Sequence, residues 1–395
     1  MILAWIGFLI VISGILIFSK YELGITIIIG AIIFALFAQV NLIHSILNVF
    51  SDFSVIFLAI AMTLIPILGG IMDESGLMLE LVQNMNISKR ISIIVGPIFF
   101  GVFPVPGGAL MSAPMVDQIG ESIDDEEKIA INVWYRHVVI LLNPLSQSFI
   151  IPVLIAGLDR YLVILVMIIP FIILSLIGYF FLLKSIEKSK KDSERNIKIV
   201  LKNLIPIITT PLVDVLGRIF FPFIVSELFI VIGLVLSIVI SLKMSHLNIS
   251  SIKSISRKMK IWRFPLLIIG MFLFLEVFLA SGLPNDISNL NLIFILLIFI
   301  GFFLGFATGR IQLPLSILIP IYLLQNMLSV MPLFYFTILY LSVFLGYIIT
   351  PIHPCVSYSI NYFKSSYSKV IKKLALPTIT AFAVLVGIYL LSFLF

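Results

Sequence analysis

Charge is what this sequence has least of. Asp, Glu, Lys and Arg make up 11% of its 395 residues, roughly half the share of a soluble domain, and that deficit excludes a water-soluble globular protein. Cysteine is nearly absent: Cys355 stands alone, which excludes an intrachain disulfide and any cluster built on several thiolates. Also missing are a His-Glu-x-x-His zinc helix, a Gly-x-Ser-x-Gly elbow and a Gly-x-x-x-x-Gly-Lys phosphate loop. No charged stretch is long enough for an ATPase domain, so neither an intramembrane hydrolase nor an ATP-driven pump is expected, and the protein is read as no enzyme. The first base is Lys20. Without a basic start and a small-residue cleavage site, the N-terminal apolar run is read as a span and not as a signal peptide.

What is present is hydrocarbon. Hydrophobic residues are 61% of the chain, and Tyr161 to Leu183 runs without a charge over a length that crosses a ~30 Å core at 1.5 Å per residue. Continuous runs without two-residue alternation exclude a β-barrel. An all-α polytopic membrane protein follows, with spans near 1–19, 22–39, 55–71, 133–157, 161–183, 200–224, 226–242, 264–281, 334–363 and 374–395. Two further stretches, 91–118 and 291–327, break at Phe103-Pro104-Val105-Pro106-Gly107-Gly108 and at Ala307-Thr308-Gly309-Arg310. Their arms, about 12 to 17 residues each, are too short to cross, so both read as re-entrant hairpins.

The halves repeat. Ser75-Gly76-Leu77 matches Ser281-Gly282-Leu283, Pro114 matches Pro320, Asn143-Pro144 parallels Thr350-Pro351, Pro170 matches Pro377, and Glu22-Leu23 matches Glu227-Leu228, all at offsets of 205 to 207. The predicted organisation is a first repeat over 1–183, a connecting loop at 184–199 and a second repeat over 200–395. Each repeat has five spans, a hairpin and a broken helix (133–157 and 334–363). Loops 184–202, 243–263 and 364–373 are rich in Lys and Arg, and placing them in the cytoplasm puts 22 of the 25 bases inside. The net charge of +6 is thus explained by orientation in a cell membrane, and nucleic acid is not an expected partner. Five crossings per repeat invert the second relative to the first and place both termini outside. Inverted repeats with discontinuous helices are the build of secondary transporters, with substrate held near the midplane at the breaks.

The breaks carry the chemistry. At the first tip, proline ends a helical arm while Gly107 and Gly108 permit the turn; the returning arm, through Ser112, starts with unpaired N–H groups that favour an anion. In the broken helices, Pro144 and Pro351 free backbone carbonyls. Asn143, Ser146, Thr308 and Thr350 add neutral oxygens of the kind that hold Na⁺. Thr308, Gly309 and Arg310 form the second tip. Arg310 is the one base expected at that depth, where an unpaired guanidinium costs at least ~2.5 kcal/mol; a substrate carboxylate or oxyanion would satisfy it bidentately, and Glu276 or Asp214 would do so structurally, although Asp214 has Arg218 four residues on. His353, between two prolines, either contacts substrate or packs as a backbone-bonded imidazole. His137 reads as an interfacial anchor, Cys355 as core, Asp117 as a partner of Arg136 or Lys89, and Asp124-Asp125-Glu126-Glu127 as a solvated loop.

This layout resembles the ion transporter superfamily of dicarboxylate/sodium symporters, citrate and gluconate permeases and arsenite exporters. The stretch Phe103 to Pro114 looks like the hairpin of an uncharacterised integral membrane branch of it. The resemblance implies homodimers, elevator-type alternating access and frequent Na⁺ coupling. Departures are visible: the tips read Pro-Val-Pro-Gly-Gly and Ala-Thr-Gly-Arg where sodium-coupled dicarboxylate members carry Ser-Asn-Thr, and the mate of Asn143-Pro144 is Thr350-Pro351. The expected function is Na⁺-coupled symport of a small anion through the bilayer, with no cofactor beyond Na⁺. The alternatives are H⁺- or Na⁺-linked antiport or efflux of a neutral or cationic solute, and a passive channel.

Overall fold

Proline and left-handed glycine decide where these helices stop. The computed structural model describes residues 2–18, 22–85, 89–102, 108–120, 123–184, 186, 196–290 and 292–393, and among them there is no strand. The first half carries α1 (Ile2–Phe18), α2 (Leu23–Ala38), α3 (Leu42–Ser51), α4 (Phe53–Glu74), α5 (Leu77–Gln83), α6 (Lys89–Val102), α7 (Gly108–Ile119), α8 (Asp125–Val138, prolonged by a 3₁₀ turn to Leu142), α9 (Gln147–Ile155) and α10 (Arg160–Gly178, prolonged by a π turn to Leu183). The second half runs in the same order: α11 (Ile197–Phe220), α12 (Glu227–Met244), α13 (Ile249–Lys258), α14 (Arg263–Ala280), α15 (Leu283–Ser288), α16 (Phe294–Thr308), α17 (Gln312–Gln325), α18 (Leu333–Ile349), α19 (Pro354–Tyr362) and α20 (Tyr367–Leu391).

The repeated Ser-Gly-Leu is a repeated turn. Gly76 has φ 76° and Gly282 φ 75°, a left-handed conformation that glycine adopts without steric cost. Ser75 Oγ donates to Met72 O at 3.3 Å and Ser281 Oγ to Phe278 O at 2.7 Å. Both apolar stretches expected as hairpins are helix pairs, α6–α7 and α16–α17, and both expected breaks interrupt their spans.

Among the described residues, seven helices are long and apolar enough to cross a membrane, and the pair α8–α9, bent by 41°, makes an eighth when counted as one span. The chain is a multi-pass helical membrane protein. Segments expected as plain loops hold short helices: α3 starts because Asn41 Oδ1 accepts the His44 N–H at 3.1 Å, and α13 lies within the basic 243–263 stretch. The acidic run expected as a solvated loop instead opens α8. Its carboxylates suit the positive end of a helix dipole, and Glu126 and Glu127 face Lys369 at 3.6 Å and Lys373 at 3.3 Å.

The helices sort into two compact units, each drawn from both halves. The first comprises Met1–Asn84 and Arg195–Ile287, the second Met85–Glu194 and Ser288–Phe395. In the first unit α2 packs on α1 and α14, and α12 on α11 and α4. In the second, α6 packs on α8 and α16 on α18, while α7 meets α19 and α17 meets α9. Every one of these pairings maps onto another when the first ten helices are exchanged for the second ten. Small residues permit the approach, as expected where packing in lipid depends on close backbone contact. A Cβ on Gly24 would meet Leu267 N at 2.7 Å, and one on Gly305 would meet Val343 O at 2.1 Å.

Candidate functional site

The second unit contains both broken helices and both hairpins, and its polar side chains gather at the breaks. At the first break, Pro144 offers no N–H and keeps Asn143 out of the helical region (φ −92°, ψ 102°). Asn143 is buried. Its Oδ1 accepts Leu145 N–H at 3.0 Å, and its Nδ2 donates at 2.6 Å to Val102 O, the last carbonyl of α6. The first break is therefore tied to the first hairpin. Ser146 is the N-cap of α9 and makes no side-chain capping bond.

The second break has the same backbone with other side chains. Thr350 precedes Pro351 with φ −73° and ψ 140°; its buried Oγ1 accepts Ile352 N–H at 3.4 Å. His353 is the N-cap of α19, and Pro354 takes the first helical position. The second hairpin tip rests against this break. Gly309 ends α16 in the left-handed region (φ 60°), and a Cβ there would lie 3.3 Å from Ile352 Cβ and 3.5 Å from His353 N. Thr308 Oγ1 donates to Leu304 O at 2.7 Å and accepts Arg310 N–H at 3.2 Å.

Aromatic and imidazole rings close the centre of the site. His353 lies 4.3 Å from Tyr347 and 4.5 Å from His137 between ring centroids, edge to face in both cases. Its Nδ1 is buried without a hydrogen-bond partner. His137, expected at the membrane interface, is 1% exposed, and its Nδ1–H donates to Val133 O. Half-buried Cys355 lies beside both imidazoles and is not simple core packing. Arg310 is half-buried, and it is not the only base here. Arg136, expected at a cytoplasmic helix start, is 6% exposed with Nη1 lacking a hydrogen-bond partner. Both charges act on Tyr347 and His353.

A second polar centre joins the first hairpin to α19. Ser112 Oγ donates to Asn132 Oδ1 at 2.6 Å, and Asn132 Nδ2 donates to Ser359 Oγ at 3.0 Å, with all three fully buried. The start of α9 reaches α17, where Ser148 Oγ lies 3.5 Å from Gln312 Oε1. Gly108 opens α7, whereas Gly107 and the rest of the first tip lie outside the described residues. Of the expected oxygens, Asn143 and Ser146 lie at the first break, Thr350 at the second, and Thr308 at the end of α16, beside the Gly309 that rests against that break.

The expected pair of Asp214 with Arg218 forms at 2.9 Å, as the four-residue spacing anticipates. Asp117 bonds Lys128 at 2.7 Å, a partner not anticipated, and Glu276 accepts from Asn48 at 3.3 Å. The sequence reading put Arg136 outside the site and did not single out Asn132, Tyr347 or Ser359. A signal existed for two of them: Lys128, Asn132 and Arg136 recur every four residues, one face of a helix, and all three are buried. An apolar cavity of about 220 Å³ between α10, α18 and α20, lined by Pro170, Phe334 and Leu385 among others, carries no charge and is distinct from this cluster.

The sequence pattern of a family described as "Protein of unknown function (DUF401)" matches residues 2–392. No curated protein matches the sequence. Among solved structures, the Alcanivorax borkumensis YdaH transporter, described as having an unusual topology, shares the fold with a TM-score of 0.58 at 13% identity, over 90% of this chain and 88% of that one.

Proposed function

The chain belongs to the DUF401 family, and from that footing we propose that it is a secondary transporter of a small anion, an organic carboxylate or an oxyanion. The observation that carries this reading is the presence of two guanidinium groups, Arg136 and Arg310, whose charges both act on the Tyr347–His353 pair, with Arg136 Nη1 buried and lacking a hydrogen-bond partner. A buried guanidinium nitrogen of this kind calls for an acceptor, and the planar fork suits an anionic oxygen pair. Gly309 seats the second hairpin against the break that carries His353, and Gly107, Gly108 and Ser112 of the first hairpin belong to the proposed binding region.

Elevator-type alternating access in a homodimer is part of the proposal, in keeping with the resemblance to the ion transporter superfamily. What supports it is the sorting of the chain: hairpins and broken helices of both halves, together with α10 and α20, form one unit, and α1, α2, α4, α11, α12 and α14 lie in the other. The exchange-symmetric pairing of helices supports two repeats, and the proposed odd number of spans inverts one against the other. Na⁺ is the proposed coupling ion. The oxygens of Asn143, Thr308 and Thr350 each accept one backbone N–H, which leaves a second lone pair on each for an ion.

Counterflow of labelled carboxylates and oxyanions in proteoliposomes tests the function. Saturable exchange, stimulated by an imposed Na⁺ gradient at fixed pH, is expected. Ion conductance without counterflow would establish a channel, and uptake driven only by a pH gradient and abolished in His353→Ala would move coupling to that imidazole.

The proposed topology places basic loops in the cytoplasm and both termini outside. In a Cys355→Ser background, cysteines introduced as Ser254→Cys in α13 and Ser51→Cys in α3 both lie on exposed positions. An impermeant maleimide applied to intact cells is expected to label the second and to reach the first only after permeabilisation. The opposite pattern would reverse the orientation.

A further inference from the structure

Transport of an anion gives His137, His353 and Cys355 no joint role, yet the fold brings them together from α8 and the second break. One ligand atom from each falls within 4.8 Å of the other two. We propose that these three side chains form a binding site for a soft monovalent metal ion of the Cu(I) or Ag(I) kind. The inference goes beyond the anion reading and does not depend on it.

The ligand chemistry narrows the ion. Two imidazoles and a thiolate select soft or borderline metals and reject Na⁺, Mg²⁺ and Ca²⁺, which take oxygen ligands. His137 is oriented as a ligating histidine usually is. Its Nδ1–H is held by Val133 O, which fixes the tautomer and leaves Nε2 as the nitrogen with a free lone pair. His353 Nδ1 is buried without a partner, a polar atom for which a ligand would supply the missing interaction. Bond lengths of about 2.0 Å to nitrogen and 2.3 Å to sulfur put neighbouring ligand atoms roughly 3.5 Å apart. The longest edge therefore closes by about 1 Å, within reach of a small ring rotation.

Charge separates monovalent from divalent ions. Binding displaces the Cys355 thiol proton to solvent, so a monovalent ion on the thiolate is neutral, whereas a divalent ion leaves one positive charge. The Arg136 and Arg310 charges already act on His353. A further net positive charge in this low-dielectric setting is penalised, and a neutral ion–thiolate unit is not.

Silver(I) is a redox-inert probe of this site. The purified full chain, stripped with chelator in chloride-free buffer, is incubated with Ag⁺, desalted and analysed for bound metal, with X-ray absorption reporting the ligands. One silver per chain with one sulfur and two nitrogen scatterers is expected. Cys355→Ser and His137→Ala should each weaken binding by about tenfold or more, and Zn²⁺ should bind more weakly than Ag⁺. Silver no greater than in Cys355→Ser, or a sulfur shell without nitrogen, would overturn the site, and the absorption result on the unaltered chain stands even if a variant misfolds. Tighter binding of Zn²⁺ than of Ag⁺ would overturn the monovalent assignment. None of these readouts requires transport, so failure here leaves the anion proposal standing and failure of anion uptake leaves this one standing.

Discussion

Replacing Arg310 by alanine is expected to lower initial anion uptake by about 30-fold, with the protein still folded. Arg310 sits at the second hairpin tip, between the left-handed Gly309 and the start of α17. It is half-buried, and its charge reaches the Tyr347–His353 pair. Losing a charge-assisted hydrogen bond to a bound anion costs about 2 kcal/mol, which is roughly a 30-fold loss of affinity. Arg310→Lys keeps the charge without the planar fork and should fall between the two. Arg136→Ala should act in the same direction, because its buried Nη1 lacks a partner. Initial-rate uptake in proteoliposomes, with gel filtration and melting as controls for folding, decides the matter. Uptake within twofold of the unaltered protein in Arg310→Ala would sink the anion reading and favour antiport or efflux of a neutral or cationic solute.

The largest expected effect on stability comes from Gly346→Val. α16 and α18 cross so closely that a Cβ on Gly346 would lie 2.0 Å from Phe302 O, and one on Gly305 would lie 2.1 Å from Val343 O. Both obstacles are backbone atoms, which cannot rotate aside, so the helices must separate along their whole contact. Overpacking of this kind costs about 1–3 kcal/mol when side chains can give way, and more here. The melting temperature should fall on the order of 5 °C or more, with Gly346→Ala less affected than valine. Gly387→Ala in α20 is the control, since nothing lies within 4 Å of its Cβ position. Equal melting of Gly346→Val and the unaltered chain would show that α16 and α18 do not pack as described. Because this contact holds the second hairpin beside the second break, transport should fall with stability.

What the sequence determined by itself is the membrane class and the places where the long helices break or turn. Apolarity is a property of each residue summed along a run, so the charge-free stretch before Leu183 announces α10 without knowledge of its neighbours. Punctuation is equally local. Pro144 and Pro351 break their helices because the missing N–H and the restricted preceding residue act within one turn. Ser75-Gly76 and Ser281-Gly282 mark the same left-handed turn because only glycine takes that φ without cost.

Only the tertiary structure decided which polar groups meet. The centre of the site joins His137 from α8 to Tyr347 and His353, more than 200 residues on, and Asn132 bridges the first hairpin to Ser359. Hydropathy is silent on such pairings, since every buried helix is apolar and lipid is as apolar as its neighbours. Partner choice rests on shape, with a glycine on one helix meeting the backbone of another. The same reason explains the two compact units. Each takes helices from both halves of the chain, because side-chain contours summed over whole helices select partners, whereas sequence order records only which helices are consecutive.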